Sequence, residues 1–123
     1  MSVPLPLRVE IARTPEEHRR GLAGRTDLAD GHGMLFVVAA DTDQAFWNAG
    51  TLVPLSLAFL DAGGRIHTLH DMMTIGESVV RVTYRPAAPW RYALEVPRGW
   101  FQRAGLRVGD RFDLRAVGVG GAR

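Results

Sequence analysis

The 123-residue chain contains no cysteine and no lysine. Without cysteine it has no disulfide framework, no thiolate zinc site and no cysteine nucleophile. Serine is scarce. Ser2, Ser56 and Ser78 are the only serines, and none stands in a Gly-x-Ser-x-Gly nucleophile elbow. Ser56 lies inside an alternating apolar stretch, where it reads as a small polar strand residue. No apolar run approaches the roughly 20 residues of a membrane span. The N-terminus lacks the charged start and apolar core of a signal peptide. No membrane span is therefore expected, and the expected location is the cytoplasm unless a leader has been removed.

All 15 basic residues are arginine, and they are unevenly placed. Residues 1–80 carry a net charge of −4 and residues 81–123 a net charge of +6. A basic C-terminal third could meet nucleic acid or acidic ligands. Its arginines, however, are spaced out and often alternate with apolar residues, which makes no clustered basic face. Nucleic acid is not an expected partner. Hydrophobic residues make up 46% of the chain, enough for a packed core and too many for disorder. The length fits one domain over residues 1–123, with a core over roughly 7–117.

Local patterns give the elements. Leu7, Val9 and Ile11 alternate with Arg8 and Glu10, the pattern of a half-buried strand. Thr14-Pro15-Glu16-Glu17 combines an N-cap, a proline at the first helical position and the glutamate of a capping box. A short helix should follow and stop near Gly21. Residues 34–38 are an unbroken apolar run, expected as a strand buried on both faces. Asp41-Thr42-Asp43 reads as a turn and residues 45–47 as a short strand. Leu55, Leu57 and Phe59 share a face, and Asp61-Ala62-Gly63-Gly64 should turn the chain into a hairpin partner over residues 65–69.

Val80, Val82 and Tyr84 also share a face, before a loop around Pro86 and Pro89. Tyr92, Leu94 and Val96 then oppose Arg91, Ala93 and Glu95. Residues 99–104 predict one or two helical turns closed by Gly105. Phe112, Leu114 and Ala116 predict a last strand, and the tail from Gly118 is expected to fray. About seven or eight short antiparallel strands, with one or two short helices, predict an all-β sandwich or barrel.

Several segments in order carry a further signal. They are Thr14-Pro15-Glu16-Glu17-His18-Arg19-Arg20-Gly21-Leu22 with Arg25, Gly33-Met34-Leu35-Phe36-Val37, Ala45-Phe46-Trp47 with Thr51, and Pro54-Leu55. Ala58-Phe59-Leu60-Asp61, Tyr92-Ala93-Leu94-Glu95-Val96-Pro97-Arg98-Gly99-Trp100 and Val108-Gly109-Asp110 complete the set. Together they resemble domain-of-unknown-function family 192, over roughly residues 7–115. The resemblance implies a jelly-roll-like β-sandwich with short helices and no established activity. Arg25, Trp47, Thr51, Asp61, Glu95 and Asp110 match the family pattern. Where the family usually has Lys, Asn and Asp, this sequence has Ala49, Gly50 and Ser56.

The chemistry-bearing residues make no familiar catalytic set. His67 and His70 are three apart, so on one strand they point to opposite faces; no metal site and no cofactor is expected. Glu95 is the only acid within a firmly patterned strand. A cross-strand ion pair with Arg81, Arg91 or Arg25 is its expected state. Trp47, Trp90 and Trp100 read either as plugs at the ends of the sandwich or as a ligand platform. Arg25, Trp47, Thr51, Ser56 and Glu95 are the candidate binding residues, and none is assigned as catalytic. The favoured reading is a non-catalytic binding or accessory module for a small molecule or protein. Two others stand beside it. One is an enzyme built on a buried, pKa-shifted carboxylate such as Glu95. The other is an interaction scaffold with an exposed apolar patch or open edge strand.

Overall fold

The computed structural model describes residues 2–4, 7–47, 51–74, 76–77 and 81–115. Val80, Ala116, the tail expected to fray and the variant positions Ala49 and Gly50 lie outside the described residues. The described elements are β1 (Ser2–Pro4), β2 (Arg8–Ala12), α1 (Pro15–Arg20), β3 (His32–Thr42), β4 (Phe46–Trp47) and β5 (Leu55–Leu60). They continue with β6 (Ile66–Met72), β7 (Thr83–Tyr84), β8 (Trp90–Pro97), α2 (Trp100–Arg103) and β9 (Arg111–Asp113). The architecture is mostly β with two short helices.

The strands form a five-stranded sheet in the order β2-β3-β8-β5-β6, with two-stranded ribbons β1-β9 and β4-β7. β2 and β6 are edges, so the sheet does not close into a barrel. Nor is the pairing all antiparallel, as the turn pattern predicts: β2 pairs with β3, and β1 with β9, in parallel. The first exception has a physical cause in the sequence. Parallel neighbours need a crossover of about a dozen residues or more, and residues 13–31, which contain α1, supply it.

Local chemistry sets the ends of α1. The Thr14 hydroxyl accepts from Glu17 N–H, and the Glu17 carboxylate accepts from Thr14 N–H, which is the predicted capping box. Gly21 ends the helix at φ +46°. The β5–β6 hairpin turns where expected. Asp61 Oδ1 accepts from the N–H groups of Gly63 and Arg65, each at 2.9 Å.

Every residue of β5 is buried, although its sequence reads as alternating. Both faces of the sheet are covered, which removes the exposed side that alternation implies. On one face, Leu35, Ala58, Tyr92, Leu94 and Val96 pack with Trp100 and Phe101 of α2 and with Phe112 of β9. On the other, Met34, Phe36, Leu55, Leu57, Phe59 and Ala93 pack with Leu22, Phe46, Tyr84 and Trp90. β3 and β8 come close at Gly33, where a Cβ would lie 2.6 Å from the Glu95 carbonyl oxygen. This close approach is the reason for glycine there.

Among the described residues, no helix is long and apolar enough to cross a membrane.

Candidate functional site

Glu95 sits in the middle of the central strand. Its cross-strand neighbours are Met34 on β3 and Leu57 on β5, both apolar and buried. The residue is only 6% exposed. Its carboxyl has no hydrogen-bond or ion-pair partner among the described residues. The expected ion pair is therefore not formed. Arg25 binds Glu10 at 2.6 Å, Arg91 binds Asp41 at 2.9 Å, and the Arg81 guanidinium lies 3.8 Å from the centre of the Trp47 ring. The pairing expectation assumed an exposed strand face, whereas α1 and β4 cover this one. Burial alone pushes the Glu95 carboxyl from an ordinary 4.5 up to about 7, because an apolar setting disfavours the charged form.

This carboxyl borders a cavity of about 750 Å³. The chain from Arg13 through α1 to Ala23 forms one wall, and residues 44–47 form another. β3 shapes the lip. Between its pairings with Tyr92 and Trp90, β3 advances from Val37 to Thr42 while β8 moves only two residues. The surplus breaks the register there, and Val38 and Ala39 border the cavity. Such bulges re-aim strands beside sites.

The inner wall is aromatic. Phe36 meets Phe46 edge to face at 5.0 Å, and Phe46 meets Trp90 at 5.7 Å. Trp90 is core, with its indole N–H donating to Gln44 O at 2.8 Å. Trp47 is 44% exposed at the cavity edge, and Thr51 borders the cavity as a buried hydroxyl. His18 Nε2 lies 2.8 Å from Ala12 O and 3.1 Å from Val37 O. Facing two acceptors, that nitrogen carries the proton and ties α1 to β2 and β3.

The structure thus brings Trp47, Thr51 and Glu95 to one cavity and leaves two other candidates away from it. Arg25 is held by Glu10. Ser56 borders a second hollow of about 310 Å³, which it shares with Asp71 of β6 and Phe101 of α2. Its hydroxyl donates to Asp71 at 2.6 Å and accepts from Gly99 N–H at 3.0 Å. That engagement ties β5 to the start of α2. Trp100 packs on the opposite face of the sheet from Trp90. His67 and His70 are engaged by the carbonyls of Pro89 and Arg85, at 3.0 and 2.8 Å.

Sequence reasoning missed Phe36, Phe46, His18 and the arginines Arg13, Arg19 and Arg20, all of which border the cavity. The two phenylalanines read only as core. The arginines follow from the capped helix, whose start and stop were legible, but the surface it would cover was not.

A family model for domain-of-unknown-function family 192, described as an uncharacterized ACR, matches residues 2–114. The chain belongs to that family. Two solved structures are similar to this DUF192 member. A Sinorhizobium meliloti 1021 protein, described provisionally as a transcription regulator, is 32% identical with a TM-score of 0.76. The match covers 85% of this chain and 79% of that one. A Novosphingobium aromaticivorans DSM 12444 protein of unknown function is 30% identical with a TM-score of 0.77, covering 85% and 73%. No curated protein matches the chain.

Proposed function

We propose that this chain is a small-molecule-binding domain. Its ligand enters between α1 and β4 and ends against Glu95. One observation carries the reading: a buried carboxyl with no partner among the described residues borders a cavity large enough for a small organic ligand. An ionisable side chain held in an apolar setting beside a cavity, its titration shifted by burial, is a candidate functional position. Thr51 and Trp47 add a hydroxyl and an amphipathic ring at the same cavity.

A second reading has its own support. A carboxyl titrating near 7 is suited to proton transfer at neutral pH, so Glu95 could serve an enzyme as general acid or base. The binding reading is preferred because, among the described residues, Glu95 is the only carboxyl that borders the cavity. His18 is committed to two carbonyls.

The Sinorhizobium relative's description would suit a ligand-sensing domain. Direct DNA contact by this chain is not proposed. Arg91, Arg98, Arg103 and Arg115, in the basic C-terminal third, are paired with Asp41, Glu77, Asp30 and Asp113.

Thermal-shift screening against a panel of small organic molecules tests the binding reading. A ligand at about 100 times its dissociation constant stabilises the fold by roughly 2.7 kcal/mol, which moves the melting point by several degrees. Trp47→Ala should abolish the shift while leaving the unliganded melting point nearly unchanged, and Glu95→Gln should weaken it. A shift of equal size in wild type and both variants would place the ligand elsewhere and sink the assignment.

A further inference from the structure

The cavity is bordered by side chains of both charge types, three arginines and the Glu95 carboxyl. Arg13, Arg19 and Arg20 all border the opening. Their side chains have no hydrogen-bond or ion-pair partner among the described residues. Arg25, Arg91, Arg98, Arg103 and Arg115 each hold a carboxylate. Glu10 and Glu17 attract Arg20 through space and offset part of its charge, but no ion pair joins Glu17 to Arg13, Arg19 or Arg20. Its carboxylate is taken up by the N–H groups of Arg13 and Thr14, at 2.8 and 3.0 Å. Three guanidiniums without a hydrogen-bond or ion-pair partner among the described residues and a buried carboxyl therefore border one cavity.

We infer that the cleft takes a planar aromatic anion, with its acid group toward Arg13, Arg19 and Arg20, its ring beside Phe46 and Trp47, and a hydrogen-bond donor reaching Glu95. The inference rests on the binding reading above and adds the class of ligand. Charge fixes the orientation. An acid group pushed inward would meet a carboxyl that no cation compensates. A cation drawn toward Glu95 would share the cavity with three guanidiniums. A donor such as a hydroxyl or ring N–H suits Glu95 in either protonation state, because a carboxyl oxygen accepts in both. Guanidinium groups hold carboxylates and phosphates alike through paired N–H donors, so the acid group of the ligand can be either.

Two matched pairs of probes separate these sources. Para-hydroxyphenylacetate is compared with its neutral amide, and inosine monophosphate with inosine, by calorimetric titration of the full chain. In at least one pair the acid should bind about tenfold more tightly than its neutral counterpart. The pair showing this margin identifies carboxylate or phosphate. The margin should shrink at high salt, because exposed guanidiniums are screened. It should vanish in the triple variant R13Q/R19Q/R20Q, whose changes lie at exposed side chains and leave the core intact. Circular dichroism confirms that the variant folds.

Acid and neutral forms binding alike, or neither form binding, would overturn the inference. Where they bind alike, sensitivity to Trp47→Ala still keeps the cleft as the site and rejects only the ligand class. An acid preference indifferent to Trp47→Ala would reject the cleft itself.

Discussion

The two faces of β8 carry opposite designs on one strand. Tyr92, Leu94 and Val96 enter an apolar cluster covered by α2 and β9. One residue away on the other face, Glu95 meets a layer that stops short and leaves about 750 Å³ open. Side chains alternate strictly along a strand, so neighbouring positions can serve unrelated ends. The closed face supplies cohesion. The other face gives up some cohesion to leave a carboxyl beside an open cavity.

Truncation on the closed face should have the largest effect. Leu94 is fully buried, and its cross-strand neighbours are Leu35 and Ala58. Leu94→Ala should cost about 4 kcal/mol in urea unfolding, since lost burial and a cavity add together. A loss below about 1 kcal/mol, typical of surface changes, would mean that this face is not the cohesive one.

The open face should instead reveal itself through pH. Glu95 has its carboxyl raised from 4.5 to about 7, so the folded state holds this proton more tightly than the unfolded state. Its stabilising contribution is full below pH 4.5, declines as pH rises toward 7 and is level above. The decline amounts to about 3 kcal/mol. Glu77 and Asp113 are held down to about 2 by Arg98 and Arg115. Their contributions are lost as pH falls below 4.5, outside this window.

Glu95→Gln removes the slope. The variant should match wild type near pH 4.5 and exceed its stability by about 3 kcal/mol above pH 7. Urea unfolding across pH 4.5–8 measures the difference, and parallel curves would show that Glu95 does not titrate with folding.

Why one face was legible in the sequence and the other was not follows from the range of the causes. The capping box at Thr14 and the turn at Asp61 depend on residues within four positions, and both are where the sequence puts them. The faces of β8 were readable as well, since alternation is local. That the Glu95 face is covered was not readable. α1 and β4, which cover it, lie some 50 to 80 residues away in the chain, and nothing near Glu95 encodes their arrival. The parallel pairing of β1 with β9 joins the two ends of the described chain and escapes any local pattern for the same reason. Trp47, Thr51 and Glu95 were identifiable by type and family position, but their shared cavity required the fold.

The wall that closes over Glu95 is itself only marginally stable, and this gives the smallest and most local effect. α1 has six residues, too few to persist on its own. Its capping box and the two hydrogen bonds of His18 hold it to the sheet. Thr14→Ala removes the acceptor for Glu17 N–H and should cost about 1 kcal/mol. That loss should fall on α1 rather than on the whole molecule. Amide exchange at His18 and Gly21, whose N–H groups bond Thr14 O and Glu17 O, should accelerate about fivefold, matching 1 kcal/mol of local opening. The amides of Leu94 and Val96, on the central strand, are expected to exchange only on global unfolding. If α1 already opens in a separate local step, they should scarcely change. Equal acceleration at all four would mean that α1 opens only with the sheet, and that the open face has no lower stability of its own.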